Sequence, residues 1–391
     1  MLKTYLLIKP VSITALSSVS ALGTSSEEIW QNYLNPKSFL ELKKIGKFNV
    51  PVSAVTNSAE KKLENLKSKN PKYKNLDKSV LLAILTSREA IKKAGWKGKE
   101  NFGINIGSSR GATELFERYH SDFLQNKKLS TLASPTTTLG NISSWVAQDL
   151  QTLGPEISHS VTCSTALHAL LNGISWIQSG MAEKFLVGGS EAALTPFTIA
   201  QIKAMKIYSA AKEEPFCEAL NFQKEKNTMV VGEGAAMACL EPGISSKAIS
   251  VIRGVGYATE KIDHGASISA NAECFQKTMR DAMGELPKDE VDVIVMHAPG
   301  TIKGDLAEWN AIKTVFGEKH PLITSNKWKL GHTFGASGML SLELGVFMLQ
   351  HQQFVPTPFF QTEKRIDKIQ NILINAVGFG GNAVSILLSR H

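Results

Sequence analysis

Cysteine is scarce in this chain of 391 residues. Its four cysteines, Cys163, Cys217, Cys239 and Cys274, form no C-x-x-C pair, which argues against a disulfide framework and against a structural zinc site. Long apolar runs are missing too: nothing approaches the roughly 18 to 20 uninterrupted residues of a membrane span. The start, MLKTYLLIKP, imitates a signal peptide, but Lys9 and Pro10 end the apolar run Tyr5 to Ile8 where an h-region needs roughly seven residues or more. That run is expected to be an opening strand, and the protein to be cytoplasmic. Acidic residues are the minority, 35 against 43 Lys and Arg, and the formal charge of +8 hints at an acidic partner. What is present is a globular composition, 43% apolar and 20% charged, which excludes disorder and fibrous classes. At roughly 100 to 200 residues per domain, the length fits two or three units or one large duplicated α/β body.

Strands are expected at Val11 to Leu16, Phe102 to Ile106, Ile157 to Thr162, Lys184 to Val187, Val230 to Leu240, Ile249 to Tyr257, Val291 to Met296 and Leu322 to Thr324, with a final pair about Gly378 to Gly381. Helical patterns intervene: one opened by Ser25 and Ser26, one from Asp77 to Ala94 closed by Gly95, and others after Gly111, after Cys163, from Asp305 and from Gly335 to Gln350. Such alternation argues for α/β layering. The two halves share their element order, which suggests duplication with a junction near 240 to 250. A lysine-rich stretch, 57 to 78, reads first as a solvated helix and loop and second as a docking patch.

Four segments carry chemistry. In SVTCSTALHALL a β-rich run stops at Cys163 and a helix starts directly after it, so the thiol sits where backbone N–H groups and the helix dipole favour thiolate. A buried cysteine is more often a small hydrophobe. In VDVIVMHAPGTIKGD a β-branched strand ends at His297, and in LITSNKWKLGHTFGASG another leads to Lys327 and His332. α/β folds place site residues just past the carboxyl ends of strands, although one such histidine alone is commonly structural. The terminal GFGG is a tight turn whose glycines allow close backbone approach to a ligand.

In this order and at these distances the segments resemble the β-ketoacyl-[acyl-carrier-protein] synthases of the Cys-His-His type, the elongating condensing enzymes of fatty acid and polyketide synthesis. VSITALSSVSALG, VGGSEAALTPF, GEGAAM, the D-x-x-E of Asp305 and Glu308, and the K-x-x-x-x-H of Lys327 and His332 extend the resemblance over essentially the whole chain. It implies a thiolase-like fold: α/β, a duplicated αβαβα five-layer sandwich with mixed central sheets. Residues 1–242 would carry the nucleophile and 243–391 the two histidines. By the same resemblance Cys163 is the acylated nucleophile, and His297 and His332 assist malonyl decarboxylation and hold the enolate. Lys327 orders the second histidine, and Asp305 and Glu308 support the network. Thr301 contacts the phosphopantetheine arm, Phe379 gates the acyl pocket, and the N–H groups of Cys163 and Phe379 form the oxyanion hole. No metal or other cofactor is implied, since substrates arrive on the phosphopantetheine of a separate, acidic acyl carrier protein. A homodimer, or a heterodimer with a related ketosynthase or chain-length factor, is implied as well.

The chain departs from the family at His297-Ala298-Pro299-Gly300-Thr301, where a His-Gly-Thr-x-Thr run is common. The segment after Met205 also lacks the family's arginine- and aspartate-rich wording. A specialised synthase, for an aryl-polyene or other polyketide-like product, is therefore expected. Two rivals share the fold. A non-catalytic chain-length-factor-like partner would usually lose the cysteine. A thiolase needs a second cysteine in a glycine-rich context, which neither Cys239 nor Cys274 has, and initiating synthases carry Asn where His332 stands.

Overall fold

The computed structural model describes residue 7 and residues 9–97, 100–261, 268–361 and 366–391. The expected opening strand lies largely outside them, since Tyr5, Leu6 and Ile8 are not described. Ten strands form one large sheet. Numbering only these, the first half supplies β1 (Val11–Val19), β2 (Gly103–Gly107), β3 (Glu156–Ile157), β4 (Phe185–Glu191) and β5 (Gly234–Pro242). The second supplies β6 (Ser250–Thr259), β7 (Val293–Val295), β8 (Leu322–Thr324), β9 (Asn371–Gly378) and β10 (Asn382–Ser389). Three principal helices belong to each half: α1 (Lys78–Ala94), α2 (Asn141–Leu150) and α3 (Thr165–Gln178), then α4 (Glu273–Met283), α5 (Ile302–Phe316) and α6 (Ser337–His351).

The strand order is β3-β2-β4-β5-β1-β6-β10-β9-β7-β8. Each half therefore lays its first, fifth, fourth, second and third strands side by side, outward from the middle. The pairing senses repeat as well: first with fifth and fifth with fourth antiparallel, fourth with second and second with third parallel. The duplication suggested by element order is thus built into the topology. The mixed strand sets of the two halves join through a short antiparallel contact of β1 with β6, Val11 to Ile13 against Ile252 to Ser250.

Alternating burial along the strands creates the layers. In β5, Ala236, Ala238 and Leu240 face a central core with α3 and α6, while Ala235, Met237 and Cys239 face an outer core with α1 and α2. In the second half, Val293, Val295, Ile372 and Ile374 face the central core and Ile294 and Leu373 the other outer core, with α4 and α5. The result is helix, sheet, helix, sheet, helix, the five-layer arrangement expected. α1 shows how local sequence fixes its bounds: Asp77 caps its first turn by accepting from Ser79 N at 2.8 Å, and Gly95 ends it at φ 69°.

Several expected elements differ. Of the strand expected over Ile157 to Thr162 only Ile157 pairs, with Asn105, and Thr162, at φ 48°, begins a tight 3₁₀ turn, Thr162–Ser164. The run Val230 to Leu240 breaks at Glu233: Val231–Gly232 pairs with Phe48–Ser53 in a three-stranded sheet, and β5 starts beyond it. α5 begins at Ile302, three residues ahead of Asp305, because Thr301 caps it. The hairpin Glu41–Ile45 with Phe48–Ser53 carries no sequence signal, since Glu41, Lys43 and Lys44 are exposed and break any apolar alternation. The lysine-rich stretch is a solvated helix, Asn57–Lys69, burying Ala59, Leu63 and Leu66, followed by a short turn. Its last lysine, Lys78, is drawn inward between Glu60 at 2.5 Å and Glu233 at 2.6 Å.

Candidate active site

The loops that follow the parallel strands of both halves meet at one place. Cys163 lies in the turn between β3 and α3, and His332 in the corresponding connection between β8 and α6, two residues ahead of its turn, Phe334–Ala336. His297 follows β7, Phe379 follows β9, and Glu191 ends β4. Cys163, His297, His332, Thr301, Glu308 and Phe379 all line a cavity of about 370 Å³. Cys163, Ile202, Phe334 and Phe379 also line a second cavity of about 410 Å³, so the thiol stands between two chambers.

The turn bearing Cys163 is tied in place. Thr165 Oγ1 donates to Thr162 O at 2.5 Å and accepts from Val161 N at 2.8 Å, and Ser164 Oγ donates to Val161 O at 3.0 Å. Thr162, at φ 48°, and Phe334, at φ 42°, sit in the corresponding turns ahead of α3 and α6. Strained backbone of this kind persists where the surroundings hold it and concentrates at functional sites. Gly378 explains how close Phe379 can come: a Cβ there would stand 2.1 Å from Thr162 Oγ1 and 2.6 Å from Val161 O. The end of β9 therefore lies directly against the Cys163 turn, and Phe379, 38% exposed, stands at the boundary of both chambers.

The histidine rings meet edge to face, with centroids 5.1 Å apart at 84°. Burial holds His297 well below the ordinary imidazole range and His332 down to about 3; the Lys327 charge adds to both, and His332 adds to the effect at His297. Both rings are neutral at pH 7, and His332 Nδ1 has no hydrogen-bond partner among the described residues. Glu308 grips the backbone beneath His297, accepting from His297 N at 3.0 Å, Ala298 N at 2.9 Å and Asn375 Nδ2 at 3.1 Å. Asp305 accepts from Gly300 N at 3.0 Å and Leu220 N at 3.1 Å and pairs with buried Lys224 at 2.7 Å. Ala298 takes φ 23°, in the region that favours glycine, and Pro299 stands in the chamber wall. Thr301 Oγ1 accepts from Gly304 N at 3.2 Å while its residue lines the same chamber.

Lys327 is fully buried, and burial lowers it to about 8. Its Nζ donates to Asn326 Oδ1 at 2.9 Å and Ser341 Oγ at 3.2 Å. It acts on His332 through its charge, with no hydrogen bond between the two among the described residues. Burial, reinforced by the Glu191 charge, pushes the Cys163 thiol up to about 12, while Arg110 and Lys327 oppose the rise. This corrects the expectation that the helix terminus would favour thiolate: desolvation outweighs it, and the thiol rests protonated.

Two residues close to the thiol were not singled out from sequence. Glu191 accepts from Ser109 N at 2.7 Å, Gly335 N at 2.9 Å, Ser108 Oγ at 3.0 Å and Arg110 N at 3.1 Å, tying the loop after β2 to the turn ahead of α6. Its only signal was a carboxylate ending the small-residue strand VGGSE. Arg110 lines the second chamber. Neither Cys239 nor Cys274 lines either chamber.

Residues 8–244 match the family Beta-ketoacyl synthase, N-terminal domain, and residues 249–361 match Beta-ketoacyl synthase, C-terminal domain. The chain belongs to the β-ketoacyl synthase family. Among its relatives, the 3-oxoacyl-[acyl-carrier-protein] synthase 2 of Staphylococcus aureus (strain COL) is 28% identical over 414 residues, covering 97% of this chain and 98% of that protein. A solved structure of a type II polyketide synthase acyl-carrier protein in complex with its ketosynthase superposes with a TM-score of 0.84 at 20% identity, over 98% of this chain and 100% of the other. The ishigamide ketosynthase/chain length factor gives 0.82 at 18% identity, over 98% and 99%. At those identities the two structures speak for the fold. No helix among the described residues is long and apolar enough to cross a membrane.

Proposed function

We propose that this protein is a stand-alone β-ketoacyl-[acyl-carrier-protein] synthase, an acyltransferase that joins an acyl chain to malonyl units by decarboxylative Claisen condensation. The observation that carries this reading is the convergence of one cysteine and two neutral histidines on a single chamber. Residues 1–242 supply the thiol and 243–391 the histidine pair. In the first half-reaction the Cys163 sulfur attacks the thioester carbonyl of an acyl group on the carrier's phosphopantetheine, and the thiol proton passes by way of a neutral imidazole to the departing pantetheine sulfur. The N–H groups of Cys163 and Phe379 hold the tetrahedral oxyanion, at about 3 to 4 kcal/mol per donor. In the second, the bond from malonyl carbon to carboxylate breaks, CO2 leaves, and the electron pair moves to an enolate whose oxygen accepts from His297 and His332. The enolate carbon then attacks the Cys163 thioester, the C–S bond breaks, and the departing thiolate takes up a proton from water to return the thiol.

Lys327, Asp305 and Glu308 hold this pair in place, Thr301 meets the pantetheine arm, and Phe379 gates the acyl chamber. The carrier is an acidic acyl carrier protein, and the synthase pairs with itself or with a related ketosynthase or chain-length factor. Four free, buried thiols suit a cytoplasmic setting. Pro299, where the family has a hydroxyl, supports a specialised product of polyketide or aryl-polyene type. A non-catalytic chain-length-factor role is disfavoured by the retained Cys163, His297 and His332. Intact-protein mass spectrometry after incubation with acyl carrier proteins tests the assignment. One acyl mass should appear on Cys163 and vanish in Cys163→Ala; an adduct that survives on the alanine variant contradicts it.

A further inference from the structure

The two chambers are arranged by the duplication. The first is walled mainly by the second half, from His297 to Gly304, Glu308, His332 and Val377 to Phe379. The second is walled mainly by the first half, from Ser109 to Glu117, with Thr137, Phe197 and Gln201. Arg110 lies in the connection after β2 and His297 in the one after β7, the second strand of each half; Arg110 lines the second chamber and His297 the first. Each sets an N–H donor at the end of the second strand of its half.

Resting on the reading of Cys163 as the acylated residue, we propose that Arg110 is a specificity-determining residue of the second chamber and selects acyl chains whose distal end bears a hydrogen-bond-accepting oxygen, a carboxylate or a ketone. Three groups fix the arginine. Its Nη1 donates to Gln201 Oε1 at 2.6 Å, its guanidinium carbon lies 5.4 Å from the centroid of the Phe334 ring, and its backbone N is held by Glu191. A guanidinium has five N–H donors in one plane, and Gln201 takes one side of that fork. Among the described residues no carboxylate forms an ion pair with Arg110. The carboxylate in the chamber wall, Glu117, accepts instead from the Thr195 hydroxyl and from Phe197 N at 3.4 Å.

Phe116, Phe197, Phe334 and Phe379 supply apolar wall for the body of the chain. A plain alkyl tail filling this space would strip water from the remaining Arg110 donors and return nothing, whereas an oxygen at the tail would accept from them. A charged donor is worth about a ten- to hundredfold difference when its partner is present rather than missing.

Arg110 also draws the Cys163 thiol toward ionisation, so its removal slows loading of every chain, and the readout is a ratio. Wild type, Arg110→Leu and Arg110→Lys would each be given three carrier thioesters of equal length: octanoyl, 7-carboxyheptanoyl and 7-oxooctanoyl, with the rate of mass gain on Cys163 measured. Wild type should load at least one oxygenated chain about tenfold or more faster than octanoyl. The carboxy chain alone identifies an anion as the recognised group, and both together identify any acceptor oxygen. Arg110→Leu should erase that ratio, and Arg110→Lys, which keeps the charge and loses the fork, should reduce it. Equal or faster octanoyl loading by wild type overturns the proposal whether or not the variants fold, as does an oxygen preference that persists in Arg110→Leu. Failure of wild type to load any of the three overturns the proposed chain selection, and an adduct that persists in Cys163→Ala overturns the assignment of Cys163 itself.

Discussion

At Cys163 two electrostatic effects oppose each other. The turn ahead of α3 and the charges of Arg110 and Lys327 favour thiolate, while burial and the Glu191 carboxylate favour thiol, and burial dominates. In the proposed mechanism the thiol is therefore deprotonated as it reacts, with a neutral imidazole to take its proton, rather than stored as an anion. With the thiol pushed up to about 12, the thiolate fraction grows about tenfold per pH unit throughout the working range. Alkylation of Cys163 by iodoacetamide, read by peptide mass spectrometry, should keep accelerating from pH 6 to pH 9; a plateau beginning near neutrality would show a thiolate already formed. The same argument explains the histidines. Held below their ordinary range, they stay neutral when the pH falls to values that protonate free imidazole, so they can donate N–H without adding a buried charge.

At the level of elements, the catalytic geometry depends on close backbone approach. The last residue of β9, Gly378, meets the Thr162–Ser164 turn so tightly that a Cβ would collide with Thr162 and Val161. Gly378→Ala should displace Phe379 from Cys163 and slow acylation, with a stability loss of about 1 to 3 kcal/mol from overpacking. Kinetics and thermal unfolding check both, and wild-type acylation by the alanine variant would remove Gly378 from the account. Sequence made some of this geometry legible. In the sequence Cys163 and His297 each end a β-rich run, and another such run leads into the loop bearing Lys327 and His332; strand ends of that kind are where such folds put chemistry. Glu191 and Arg110 gave no comparable signal, because their roles depend on contacts with Gly335, Gln201 and Phe334, far away in the chain. The β-rich run Ile157 to Thr162 pairs only at Ile157, and β propensity carries no information about the positive φ at Thr162. The hairpin at Glu41–Ile45 was missed since its exposed charges obscure the period of two.

For the whole molecule, the formal charge of +8 is to be set beside the lysines near the chambers. The lysine-rich helix Asn57–Lys69 contributes no wall to either chamber. The exposed Lys203, Lys206 and Lys226 are chain neighbours of Ile202, Met205 and Asn227, which line the first chamber, and exposed Lys303 itself lines it. Lysines at a mouth steer an acidic carrier by long-range attraction that salt screens over about 8 to 10 Å. KM for the carrier should rise with ionic strength, and Lys303→Glu should raise it at low salt; a KM indifferent to both would make the excess charge a solubility feature. Duplication gives the molecule its other large-scale property: two corresponding chambers on either side of one thiol, the histidine pair in one and Arg110 in the other.

The division of labour between Cys163 and the histidine pair is tested most directly by following both half-reactions in His297→Ala, with acyl mass on Cys163 measured beside CO2 released from a labelled malonyl carrier. Acylation should persist while CO2 release and chain extension fall by about a hundredfold or more. Equal loss of the two half-reactions would contradict the account.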